Sequence, residues 1–224
     1  MQGRPLHVHL SEQTAENDAC LAAYGLTPTA LLDDAGALSP RTTAVHATHL
    51  TDADVAALGR TTTYSCFCPT TERDLADGIG PAPALAAAGS PLCLGSDQHA
   101  VIDLLEEARA LEMHERLVSH ERGRKQPPEL MTALADNGHR SLGWTDAGRL
   151  EAGMRADLVA VRLDTLRTAG SLPEQVLLSA YAADVDTVVV DGEVVVSGGR
   201  HTRYDVAAEL HQSITALWSE VGRA

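Results

Sequence analysis

Two histidines alternate in Leu6-His7-Val8-His9-Leu10, and Glu12 follows just beyond them. Side chains on a strand repeat every two residues, so both imidazoles fall on one face. Neutral imidazole suits zinc, and a carboxylate where the strand turns into a loop can shuttle protons. The same histidines also fit a plainer arrangement, packed in a core with their nitrogens hydrogen-bonded. Val45-His46-Ala47-Thr48-His49 brings a further imidazole to a strand end, with His49 belonging to the next loop and facing solvent. Leu92–Leu94 is apolar and runs into Gly95-Ser96-Asp97, where a carboxylate is costly unless paired or metal-bound. Capping of that loop is the alternative for Asp97. His99 lies close by without an assigned role, and His114, His120, His139, His201 and His211 fall on helices or loops and read as solvated.

The elements that must position these groups are short. Leu6–Leu10, Thr43–Val45 leading into His46, Thr61–Phe67 and Leu92–Leu94 read as strands from their apolar and β-branched content. Between them, Thr14–Tyr24 is alanine-rich and stopped by Gly25, Thr51 opens a helix with Asp54 in capping-box position and Gly59 at its end, and a short helix near Ala84–Ala88 is entered through Pro83. A polar loop carrying Pro69, Gly78, Gly80 and Pro81 follows the third strand. Strands alternating with helices argue for parallel βα units. Each strand ends in polar residues: His9 with Glu12, His46, Cys68-Pro69-Thr70, and Asp97. The C-terminal strand ends are where βα barrels keep their chemistry. Further on, helices are expected near Val101–Val118 and Glu129–Leu142, then a turn into a strand at Gly153–Val161. Asp186–Val190 and Glu193–Val196 flank Asp191-Gly192 as a hairpin, and Asp205–Val221 forms a terminal amphipathic helix.

Composition narrows the function classes. Hydrophobic residues make up 44% of the 224, enough for a packed core, but aromatics are only 3%, so Leu, Val and Ala must build it. A formal charge of −14 argues against nucleic acid as a partner. Cys20, Cys66, Cys68 and Cys93 show no paired framework and read as reduced thiols of a cytoplasmic protein. No apolar run approaches the ~20 residues of a membrane span.

Asn137-Gly138-His139-Arg140-Ser141-Leu142-Gly143, followed by Gly148-Arg149-Leu150-Glu151-Ala152-Gly153-Met154-Arg155-Ala156-Asp157-Leu158-Val159, resembles the "NGAraLG…GsLevGkrADlv" signature of the amidohydrolase superfamily. Val188–Val196 resembles its closing hairpin, and the order His, His, Asp is similar to strands five, six and eight of its barrel. Two stretches narrow the resemblance. Leu10-Ser11-Glu12-Gln13-Thr14-Ala15-Glu16 is similar to the "AEQxxE" of formimidoylglutamate deiminases, and Cys68–Ile79 (CPTTERDLADGI) resembles their "lStEanLgDGI". Nucleobase deaminases and triazine hydrolases tend to show "CPxSN" there, and that Asn is absent. Arg73-Asp74 and Ala76 depart from the deiminase pattern, which has Ala-Asn and Gly.

The resemblance implies an α/β fold: the C-terminal half of a metal-dependent hydrolase (β/α)8 barrel over residues 1–143, part of a small β-sandwich over 144–200, and a terminal helix over 201–224. It implies a small-molecule substrate, N-formimidoyl-L-glutamate, hydrolysed to N-formyl-L-glutamate and ammonia in histidine breakdown. One Zn2+ would be held partly by His9 and Asp97. Asp97 would accept the water proton, Glu12 would pass a proton to the departing nitrogen, and His46 would hydrogen-bond the attacking water. A homodimer is implied for the complete protein. His46 follows His9 by only one βα unit, so His7-Val8-His9 is not the superfamily's first-strand pair. Strands one to four, two further ligands and the residues binding the glutamate carboxylates are therefore expected outside these residues, and the chain alone is expected to be inactive. The alternatives are another zinc aminohydrolase, acting on a ring, and a truncated product without activity.

Overall fold

Short apolar runs separated by alanine-rich stretches can bury themselves only as strands covered by helices, and the N-terminal part of the chain does this. The computed structural model describes residues 3–98 and 101–222. It begins with β1 (Leu6–Leu10), α1 (Thr14–Tyr24), α2 (Pro28–Asp34), β2 (Thr42–His46), α3 (Asp52–Arg60), β3 (Tyr64–Phe67), α4 (Pro69–Asp74), α5 (Ala82–Ala88) and β4 (Leu92–Leu94). The strands form one parallel sheet in the order β1-β2-β3-β4, with His9 opposite Val45, Leu10 opposite His46 and Cys66 opposite Cys93. A parallel ladder puts every C-terminal strand end on the same edge. The four polar strand ends therefore gather on one side.

The chain continues through α6 (Leu104–Ser119), α7 (Pro127–Leu134) and α8 (Asp136–Ser141) into a second, antiparallel sheet. That sheet comprises β5 (Leu158–Val161), β6 (Val185–Val190), β7 (Glu193–Ser197) and β8 (Arg200–His201), and α9 (Val206–Val221) follows. Asp191 and Gly192 both have positive φ, 50° and 83°, as a two-residue hairpin requires. Asp103 caps α6 through Leu105 N–H and Glu106 N–H, and its other oxygen accepts Ala182 N–H at 2.8 Å. With Arg109 donating to Ala180 O at 3.0 Å, this ties α6 to the segment preceding β6.

The core is leucine and alanine around the chain's single phenylalanine. Leu10, Leu58, Phe67, Leu85 and Leu130 are almost wholly buried. Valine, expected to share this role, enters that cluster only at its margin through Val55, and many of the others lie in the half-exposed second sheet. None of the described helices is long and apolar enough to cross a membrane.

Several boundaries differ from the sequence expectation. Thr61–Thr63 are turn and extended residues ahead of a strand that starts at Tyr64. The expected polar loop contains α4, because Pro69 at its start presets a helical φ. Gly59 does not end α3 but lies inside it: a Cβ there would sit 2.2 Å from Ala88 O, so glycine lets α3 pack directly onto α5. The expected single helix over Glu129–Leu142 is two, broken at Ala135 with φ −111° and ψ −76°. The short elements α2 and β8 were not anticipated.

Candidate functional site

At the end of β1, His9 is exposed and Leu10 turns into the core. The chain then bends at Ser11 with φ 51°, and the Glu16 carboxylate from α1 accepts Ser11 N–H and Glu12 N–H at 2.9 and 3.0 Å. That clamp turns Glu12 back towards β2. His46 ends β2 fully buried, with φ 68°, and Ala47 follows with φ 49°. The loop after β4 turns at Asp97, φ 51°.

These bends converge. His46 Nε2 lies 3.6 Å from Glu12 Oε1 and 3.9 Å from Asp97 Oδ2, and the His9 and His46 rings are 5.3 Å apart between centroids. One donor atom each of His9, His46 and Asp97 falls within 4.8 Å of the others, the one such grouping of three metal-ligand residues found among the described residues. His46 Nε2 is buried and has no hydrogen-bond partner among the described residues. One imidazole nitrogen from each of His9 and His46, the latter orphaned and buried, and one Asp97 carboxylate oxygen make a donor set that fits a zinc-class divalent ion.

Electrostatics in the cluster favour proton traffic. Burial raises the pKa of Glu12; His46 and His9 oppose this, while Asp77 and Asp97 reinforce it. Burial disfavours a charged His46, but the hydrogen bond to Glu72 and the charges of Glu12, Glu72 and Asp97 outweigh it, so its pKa is raised overall.

The expected residues Glu12, His46, Asp97 and His9 are thus brought together. Others are not. His7 Nε2 lies 3.0 Å from Ser141 O at the end of α8, outside the cluster. His49, expected in solvent, is half-buried with Nε2 2.7 Å from Asp77 O, because the loop after α4 folds over it. His114, expected to be solvated, is 8% exposed, since its face of α6 packs inward. His99 lies outside the described residues. The Cys68 thiol is pushed far up by the neighbouring Cys66 thiol and by burial, so it stays protonated and is no nucleophile.

Three supporting residues were missed. Glu72, 2% exposed, places Oε1 3.3 Å from His46 Nδ1 and accepts Cys68 N–H with the same atom at 2.7 Å. Thr71 Oγ1 donates to Ser96 O at 3.1 Å and accepts Gln98 N–H at 3.3 Å, gripping the backbone on both sides of Asp97. Glu107 of α6, fully buried, accepts Thr70 N–H at 2.9 Å and fixes the start of α4. The available signal was the carboxylate at position 72, directly after Cys68-Pro69-Thr70-Thr71 at the end of the third strand.

The profile of the Amidohydrolase family matches residues 1–195. The chain belongs to the amidohydrolase family. Its relatives include an 8-oxoguanine deaminase from Pseudomonas aeruginosa, 39% identical over 209 residues, covering 91% of this chain and 46% of that protein. A formimidoylglutamate deiminase from the same organism is 36% identical over 208 residues, covering 88% and 46%. Among solved structures, an adenosine deaminase from Xanthomonas campestris with bound zinc superposes with a TM-score of 0.90 at 29% identity, covering 98% of this chain and 51% of that one. This amidohydrolase chain spans about half the length of the curated relatives it matches. Its fold is that of the metal-dependent hydrolase barrels, with the parallel sheet as the barrel portion.

Proposed function

We propose that this chain carries the proton-transfer half of a zinc-dependent deiminase site, and that the substrate is N-formimidoyl-L-glutamate. The observation that carries the reading is the convergence of Glu12 and Asp97, at 3.6 and 3.9 Å, on His46 Nε2 beside His9. Zinc held by His9 and Asp97 would supply Lewis-acid activation of a water nucleophile. Asp97 takes a proton from that water, and His46 Nε2 orients it towards the formimino carbon. Glu12 gives a proton to the nitrogen as the C–N bond breaks. Oxygen adds to carbon, both water protons finish on nitrogen, and formylglutamate and ammonia leave. Catalytic zinc takes about three protein ligands. His9 and Asp97 are two of these.

The formimino substrate is favoured by the resemblance of the CPTTERDLADGI stretch to that of formimidoylglutamate deiminases and by the 36% identity to one of them. A ring aminohydrolase is the second reading, supported by the 39% identity to an 8-oxoguanine deaminase. The test is ammonia release by the full gene product loaded with zinc. Turnover of N-formimidoyl-L-glutamate, with none of 8-oxoguanine or adenosine, is expected; the opposite pattern selects the ring aminohydrolase.

A further inference from the structure

The His46 ring is held from behind by a group with no place in the reaction just described. Its Nδ1 lies 3.3 Å from Glu72 Oε1, and the two side chains are 0% and 2% exposed. An ionised carboxylate only accepts hydrogen bonds. Glu72 Oε1 accepts one from Cys68 N–H, and a proton on His46 Nδ1 would supply the second. In the neutral ring this leaves Nε2 as a bare acceptor. That nitrogen is buried, has no hydrogen-bond partner among the described residues, and faces Glu12 Oε1 and Asp97 Oδ2. A lone pair facing two carboxylates is comfortable only with a hydrogen-bearing or cationic group between them.

We propose that Glu72 is a positioning residue that locks His46 as the Nδ1–H tautomer, so that Nε2 presents its lone pair to the water nucleophile. This rests on the deiminase reading of the site. The frame around Glu72 suits the task. Glu107 pins Thr70 and Thr71 grips the Asp97 loop, so the first turn of α4 cannot drift from either His46 or Asp97.

A structural role for Glu72, limited to satisfying Cys68 N–H, predicts different behaviour. Glu72→Gln keeps an acceptor for that N–H and removes the charge. In the zinc-loaded full gene product it should lower kcat about 10- to 100-fold, the scale of a hydrogen bond to a charged group, and leave KM within about twofold. Metal content and Tm should not change. Added to His46→Asn, the same substitution should alter kcat less than about threefold, because its effect passes through His46. Equal losses in both backgrounds, or no loss in either, would overturn the proposal. Nitrogen-15 spectra of histidine-labelled protein give an independent reading. A downfield Nδ1–H signal, absent from His46→Asn, is expected, and an Nε2–H tautomer overturns it. These spectra decide the matter even if Glu72→Gln does not fold. If formimidoylglutamate is not turned over, the deiminase reading fails while the tautomer measurement still judges Glu72.

Discussion

Replacing Glu12 by Gln preserves its shape and removes its capacity to exchange a proton. Glu12 Oε1 lies 3.6 Å from His46 Nε2, and the side chain is 21% exposed, dry enough to be tuned and wet enough to be resupplied. Loss of a placed acid–base group costs about 10²–10⁴-fold in rate, which at 1.36 kcal/mol per tenfold is about 2.7–5.4 kcal/mol of barrier. Asp97 Oδ2 stands 3.9 Å from the same nitrogen and can carry part of the proton flow, so the loss should fall nearer ~10² than ~10⁴. Zinc content should be unchanged, because the proposed ligands are His9 and Asp97 and Glu12 is not in the grouping that contains them. A proton donor works while protonated, so rate dependent on Glu12 is lost as pH rises through its pKa. Burial sets that value above the ordinary ~4.3, extending the working range upward. The high-pH limb belonging to Glu12 should vanish in Glu12→Gln. The assay is initial ammonia release across pH, with metal analysis on the same samples. Turnover within about tenfold of the parent at full zinc occupancy would refute the proton-shuttle assignment.

Asp97→Asn should lose zinc and activity together, because the amide is a poorer ligand and takes no proton from water; full zinc occupancy with full turnover removes Asp97 from the site. His46→Asn should retain zinc and lose about 10²–10³-fold in kcat, whereas parallel loss of zinc makes His46 a ligand. Gly59→Ala should lower thermal stability by about 1–3 kcal/mol, since the new Cβ would meet Ala88 O at 2.2 Å; an unchanged Tm would show that α3 and α5 yield. Asp184 is buried, and its carboxyl is held far below the usual range by the Arg167 guanidinium, with further bonds from Tyr181 N–H and Thr165. Its contribution is therefore present above the unfolded pKa of about 3.9 and lost as pH falls below it. Asp184→Asn should cost about 1–3 kcal/mol at neutral pH and flatten the acid end of the stability profile, and denaturant melts at pH 3 and 7 check both.

The frame of this fold was legible because it rests on local chemistry. Leu6–Leu10, Thr14–Tyr24 and Leu92–Leu94 have in the structure the bounds their sequence suggested, and the Thr51–Asp54 capping box forms as read. Hydrophobic period, caps and turn residues act within a few positions, so a single sequence displays them. The misjudged residues are those whose surroundings come from distant segments. Gly59 ends a helix in most contexts, and only its contact with Ala88 makes it an interior position. His114 reads as solvated from its place on a helix away from the strand ends, yet the packing of α6 buries it. Glu72 belongs to a stretch that looks like polar loop. Its meaning appears only when α4 brings it behind His46, 26 residues away in sequence.

Backbone strain explains why the site's geometry exceeds what strand alternation could show. In the parallel register His9 is paired with Val45 and His46 with Leu10, so regular pleating would send the two imidazoles to opposite faces. Their rings nevertheless stack 5.3 Å apart. His46 achieves this with φ 68°, leaving the pleat at the last position of β2, and Ser11, Ala47 and Asp97 adopt φ of 51°, 49° and 51° at the neighbouring strand ends. Each such conformation in a non-glycine residue costs about 1–3 kcal/mol and survives only where its surroundings over-determine it. Here they do: Glu16 clamps the backbone after Ser11, Glu72 holds the His46 ring, and Thr71 grips both sides of Asp97. Four strained positions, each at a strand end and bordered by groups that hold it, turn a regular sheet edge into a converging set of donors. Removing a holder should therefore cost activity before stability, since the released backbone relaxes into a less strained conformation while the donors move apart.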